Sequence, residues 1–232
     1  MSDSIGPPPG HHVLLEGRAA GEAMNTTLQL PMLKRQVPHG SGPVMALPGF
    51  MADDSATWLL RHFLAGIGYR VTGWGQGLNR GPMLRYLPQI EHRLVESSAN
   101  AESVSLVGWS RGGVMARELA RDRPDLVRSV VTLGSPVRGG ARGTRIGPLV
   151  SRTTGINIEQ MARIQADRQR RTIRVPVTAI YSRTDGVVSW QACRDETTPG
   201  LVHEEVDCSH IGMVANAEVF RKVAAALARH HG

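Results

Sequence analysis

In SVSLVGWSRGGVMARELAR, residues 103–121, Ser110 stands between Gly108 and Gly112, where an apolar run gives way to a helical pattern. A serine so placed is a candidate nucleophile, but the spacing alone proves little. With 26 Gly in 232 residues, chance supplies a G-x-S-x-G match in roughly one such chain in five. A neutral hydroxyl attacks poorly, so the motif makes a demand on the rest of the chain. It needs a base to take its proton, and the base needs an acid to orient it.

Two later segments answer that demand in the order Ser, Asp, His. IYSRTDGVVSW sets Asp185 just past an expected strand ending near Tyr181, and DCSHIGMV sets His210 just past one ending near Val206. Asp185 lies 75 residues after Ser110, and His210 a further 25. T-D-G at 184–186 also suits an ordinary turn, and His210 alone suits the start of a helix. The competitors are worse placed: His203 falls inside an expected strand, His62 and His92 inside helices, and His230 and His231 at the tail. Asp207 is too close to His210 along the chain, which leaves Asp195 as the reserve acid. The negative charge that develops on an attacked carbonyl oxygen also needs donors. The backbone N–H of Arg111 follows the serine directly, and VMALPGFMADDSAT offers that of Phe50 after a Pro-Gly turn.

These residues act together only if the elements bring them to one edge. Strands are expected at 44–47, 69–74, 103–108, 127–136, 175–182 and 201–207, and helices at 56–68, 83–98, 112–122 and 213–230. The 56–68 helix should bury Trp58, Leu59, Phe63 and Ile67 along one face. Near-continuous apolar strands alternating with helices imply an α/β fold: a mostly parallel sheet covered on both faces. Ser110, Asp185, His210 and the 48–50 turn would all lie at the carboxyl ends of strands, where open α/β sheets bind ligands. Residues 1–23, rich in Pro, Gly and Ala, read as a flexible arm, and 24–232 as a single domain. About forty residues, 136–175, interrupt the alternation with a helical piece near INIEQMARIQADRQRR; they read as a cap or lid over one end of the sheet.

The bulk properties narrow the class. The net charge is +7, nearly all of it from Arg, since Lys34 and Lys222 are the only lysines. The densest stretch, Arg138 to Arg174, has no interleaved aromatic residues of the kind that stack nucleobases, so no nucleic-acid partner is expected. No run nears the roughly 20 apolar residues that span a membrane, and stable membrane insertion is not expected. MSDSIGPPPGHH lacks a basic region followed by an apolar one, so the chain reads as cytoplasmic, or as secreted had a leader been removed. Neither the His11–His12 pair nor the two cysteines has metal-ligand spacing, and no metal is expected.

Taken together, VMALPGF, LVGWSRGGVMARELA, TLGSPVRG, YSRTDGVV and CSHIGMV resemble the α/β-hydrolase fold, and within it the bacterial lipases and carboxylesterases. The likeness covers about residues 44–230. It departs at Pro48-Gly49, where many relatives have His-Gly, and the strands that usually come first are poorly marked, with only TLQLPMLK (27–34) as a candidate. The resemblance implies a serine esterase or lipase acting on small-molecule or lipid esters without a cofactor. Ser110 would be the nucleophile, His210 the general base and Asp185 its partner, with the oxyanion held by Phe50 and Arg111. Met51, Trp109, Ile146, Leu149 and Ile158 would border the substrate, with the remaining apolar residues of the cap. Cys193 and Cys208 flank the acid and base; as in some secreted lipases they would form a disulfide, or in a reducing cytosol remain two buried thiols. The same triad also serves thioesterases, amidases and acyltransferases, and a hydrolase-like binding protein would retain the fold without the chemistry.

Overall fold

The structure is a computed structural model that describes residues 5–98 and 102–230. Six parallel strands form one sheet: β1 (Pro43–Leu47), β2 (Arg70–Gly73), β3 (Val104–Trp109), β4 (Val127–Leu133), β5 (Val177–Ser182) and β6 (Val202–Val206). Their spatial order is β2-β1-β3-β4-β5-β6. The chain thus runs outward from β1 to β2, returns to β3, and proceeds to the other edge. Strand order reverses between β1 and β3, and a crevice opens beyond their carboxyl ends at such a switch point. β1, β4 and β5 are almost wholly buried, as the apolar runs require for strands covered on both faces.

The helices are α1 (His12–Leu15), α2 (Ala19–Gln36), α3 (Trp58–Ala65), α4 (Met83–Ser97), α5 (Arg111–Asp122), α6 (Gly147–Thr154), α7 (Ile158–Gln169), α8 (Trp190–Cys193) and α9 (Ala217–Ala228). They divide the core into two layers. On one face Leu30 and Leu33 of α2, Phe63 of α3 and Phe220 of α9 close over the sheet, with the Phe63 and Phe220 rings stacked 4.9 Å apart. On the other, Trp74, Ile90, Leu94, Met115 and Leu119 join α4 and α5 to β1 and β3.

Two features of the leading segment differ from the sequence reading. TLQLPMLK is helical, as part of α2, and no strand precedes β1 among the described residues. Thr26, Leu30 and Leu33 are buried there while Leu28 and Met32 are exposed, a helical spacing that Pro31 masks in the sequence. Residues 12–23, expected within a loose arm, are likewise helical, while 1–4 lie outside the described residues. In α3 the buried set is Leu60, Phe63 and Leu64, with Ile67 just beyond. Trp58 instead stands exposed, stacked on His62 at 5.5 Å. The 136–175 excursion holds two helices, α6 and α7, and a preceding 3-10 turn at Gly140–Gly143. Arg168 and Arg171 of α7 and its end pair with Glu118 and Asp122 of α5, which fastens the cap to the helix behind Ser110.

Candidate active site

β3 ends at Trp109 and α5 begins at Arg111, so the whole change of direction falls on Ser110, whose backbone has φ 54° and ψ −120°. That conformation suits glycine, and for a serine it stores strain that the surroundings must hold. They do so through the Ser110 N–H, which donates to Leu133 O on β4 at 2.7 Å, and the Gly113 N–H, which donates to Ser110 O at 3.0 Å. A side chain at Gly112 would strike the Leu47 carbonyl at the end of β1, and one at Gly108 would strike the backbone of Gly113. The glycines of the motif therefore let the helix start press against two strand ends and force the sharp turn.

Asp185 and His210 meet at the same edge. The Asp185 carboxylate receives His210 Nδ1 at 2.7 Å, and both residues are buried. The other oxygen of Asp185 accepts the N–H groups of Val187 (2.8 Å) and Val188 (2.7 Å), so the carboxylate is fixed by its own loop. Burial disfavours the imidazolium, but the charge and hydrogen bond of Asp185, with the Glu16 carboxylate nearby, outweigh it and raise His210 above its ordinary value. Gly134, at φ 53°, leaves room for the pair: a Cβ there would lie 3.1 Å from both Asp185 Oδ2 and His210 Nδ1. Gly134 follows Leu133, the residue that anchors the Ser110 amide. The Trp109 indole packs on the His210 ring at 5.6 Å and donates from Nε1 to His210 O at 3.0 Å. Among the described residues the His210 ring is hydrogen-bonded to Asp185 and not to Ser110.

The loop after β1 lies against the serine, with a Cβ on Gly49 falling 3.3 Å from Ser110 Cβ. Its shape depends on Asn79, a fully buried residue that gave no signal in the sequence reading. Asn79 Nδ2 donates to Pro48 O at 2.9 Å, and its backbone carbonyl accepts the N–H of Met51 at 2.8 Å, so it brackets Phe50 on both sides. Among the described hydrogen bonds the N–H groups of Phe50 and Arg111 have no acceptor. The Arg111 side chain folds over the Phe50 ring, 5.6 Å from its centroid, and donates to Gly81 O. Burial lowers this guanidinium to about 10. The Arg111 side chain thus braces the loop.

An apolar cavity of about 150 Å³ opens beside Ser110, Phe50 and Arg111 and runs under the cap. Val150, Ile156, Met161 and Ile164 of the cap line it, together with Ile146. Of the five residues expected to border a substrate, Ile146 alone lies on this cavity. Met51 and Leu149 are exposed, Trp109 is occupied with His210, and Ile158 packs beside Gly147.

The competitors are engaged elsewhere. Asp195 is buried against Arg117 and bonded by Thr197 and Thr198, which hold its carboxyl below the usual range despite its burial. Asp207 faces Arg18 and Thr184, and His203 lies within β6. His231 lies outside the described residues. Cys193 and Cys208 stand as free, buried thiols. Cys193 is packed with Tyr181, Val188 and Ala192, whereas Cys208 is packed with the α9 layer; two separate apolar clusters hold them, and burial raises both thiols. No group of three or more His, Cys, Asp or Glu that could hold a metal ion exists among the described residues.

No protein-family model matches the chain. Solved structures do. A structure of metagenome-derived lipolytic enzymes superposes with a TM-score of 0.64 over 84% of this chain and 96% of its own, at 16% identity. The monoacylglycerol lipase of Paleococcus ferrophilus gives 0.61 over 83% and 97%, at 15% identity. The thioesterase domain of the curacin biosynthetic pathway gives 0.56 over 81% and 91%, at 17% identity. With the parallel sheet, its order and the strand-end turn at Ser110, these likenesses define the fold. The chain has the α/β-hydrolase fold.

Proposed function

We propose that the protein is a serine hydrolase of carboxylic esters, with Ser110, His210 and Asp185 as its catalytic triad. The observation that carries this reading is the buried Asp185–His210 pair at 2.7 Å, at the same sheet edge as a serine held in a strained turn. His210 takes the Ser110 proton as the hydroxyl oxygen bonds to the ester carbonyl carbon. The carbonyl oxygen becomes an anion facing the N–H groups of Phe50 and Arg111. As the tetrahedral intermediate collapses, the alcohol leaves with the proton from His210. Water, deprotonated by the same imidazole, then frees the acid and restores Ser110. The apolar cavity under the cap would receive the acyl chain, with Ile146, Val150, Ile156, Met161 and Ile164 against it.

The test is turnover of p-nitrophenyl esters and acyl thioesters of graded acyl length, with covalent labelling by an organophosphonate. Wild type should label once, at Ser110, and Ser110→Ala should lose labelling and at least about 10³-fold in kcat. Because the base must be neutral and His210 is raised, kcat/KM should climb with pH through a point above the ordinary imidazole value of about 6.5. A wild-type protein that neither labels nor turns over any member of the series is no such hydrolase.

A further inference from the structure

The segment ahead of β1 reaches the back of the site. One carboxylate, Glu16, sits in the short turn between α1 and α2 and accepts three backbone N–H groups. Its Oε1 takes Gly186 N–H at 2.8 Å and His210 N–H at 2.9 Å, and its Oε2 takes Ile211 N–H at 3.0 Å. Gly186 follows Asp185, and His210 is itself the base. A single oxygen thus joins the loop of the acid to the loop of the base.

Neighbours on the same segment reinforce the bridge. Glu22 of α2 accepts the Ser209 N–H at 3.0 Å and its hydroxyl at 2.6 Å. Arg18 reaches Thr184 at 2.9 Å and Asp207 at 3.2 Å, one contact on each loop. A side chain on Gly186 would collide with the His12 carbonyl, so the acid loop lies directly against the segment's backbone. These contacts are polar and directed at backbone, unlike the apolar burial that holds α2 to α3 and α9.

We propose that Glu16 is a positioning residue for hydrolysis: by clamping the two loops through their backbone amides it sets where the His210 imidazole stands relative to Asp185 and Ser110. The inference rests on the serine-hydrolase reading above. Glu16 touches no reacting atom and acts through His210 and Asp185. It also adds negative charge near the His210 ring, whose other charged neighbour is Asp185; Glu22, Arg18 and Asp207 lie a shell further out on Ser209 and Thr184. Two substitutions separate these effects. Glu16→Ala removes bridge and charge together. Glu16→Gln keeps a carbonyl oxygen able to accept from Gly186 and His210, but removes the charge and gives up the bond from Ile211 N–H.

The experiment measures kcat and KM on a p-nitrophenyl ester across pH, per serine titrated by the organophosphonate. Glu16→Ala should lose about 10- to 100-fold in kcat with KM within about threefold, as expected when a catalytic group is misplaced by a fraction of an ångström to one ångström. Glu16→Gln should keep most of kcat and move the acid limb of kcat/KM to lower pH, because a negative charge that favours the imidazolium is gone. Wild-type kcat per titrated serine in Glu16→Ala, with Ser110→Ala inactive, overturns the clamp and leaves the hydrolase intact. Should Glu16→Ala not fold, Glu16→Asp, which keeps the charge but is one methylene too short to reach both loops, decides the clamp: wild-type kcat per titrated serine in that variant overturns it. A wild-type protein with no titratable serine and no ester turnover overturns both.

Discussion

Ser110 has its hydroxyl on a backbone at φ 54° and ψ −120°, a region open to glycine and costly to every other residue, by about 1–3 kcal/mol. The cost is borne because the turn is held by its own amide, by Gly113 and by glycines that let α5 approach β1 and β3. Ser110→Gly should relieve it. We expect that variant to melt about 2–4 °C higher, equivalent to roughly 1 kcal/mol in a chain of this size, and to lose organophosphonate labelling. A melting point equal to or below wild type would mean the turn is not strained. At this scale the sequence was most informative about residues that stand just past the end of a strand. Ser110, Asp185 and His210 stand out because each is a polar, chemically able group at a point where a β-rich run stops. Asn79, Glu16 and Glu22 follow no such run, and their work is done on backbone amides, which carry no side-chain signature.

At the scale of elements, the sheet was legible because parallel strands buried on both faces read as short runs rich in apolar and β-branched residues, as β1, β4 and β5 do. The leading helices were not. α1 and the start of α2 present few buried apolar residues, and their docking depends on Glu16, Arg18 and Glu22, so composition alone suggests a loose arm. The cap shows a related pattern. Arg168 pairs with Glu118 and Asp122, Arg171 with Asp122, and Gln165 donates to Pro136 O at 3.0 Å and to Val137 O at 2.8 Å. One side of α7 is thus tied to α5 while the other lines the cavity. Arg168→Met should cost on the order of 2 kcal/mol, since Glu118 is buried and loses one of its two arginines. Melting should fall by about 4–8 °C, and kcat/KM should drop more for long acyl esters than for acetate. An equal loss across the series would show that the cap wall does not contact the acyl chain.

Across the whole molecule, the basic composition is largely balanced in place. In the arginine-rich stretch Arg138, Arg142, Arg168, Arg170 and Arg171 each face a carboxylate. One such pair, Arg117 with Asp195, is buried on both sides. Asp195 is held below its unfolded value of about 3.9, so the stability it contributes is complete above that pH and is lost as pH falls toward the folded value. Asp195→Asn leaves Arg117 buried without a counter-charge and should cost about 3–5 kcal/mol at pH 7. Urea titrations should show the gap between variant and wild type narrowing at pH 3; a gap that is constant or widens there would contradict the pairing.

Glu16 and His210 stand 194 residues apart along the chain, with all six strands of the sheet between them. Contacts of such separation form only after the intervening structure has brought the two regions together. A chain with its six strands paired and both apolar layers closed, but with α1 and the start of α2 undocked, would look native to circular dichroism and to tryptophan fluorescence. Its Asp185 and His210 loops would nevertheless lack their common anchor. Turnover then becomes a sensor of a docking event that bulk probes of the core scarcely register. Inactivation by mild denaturant would precede unfolding of the sheet and begin at the opposite end of the sequence from His210.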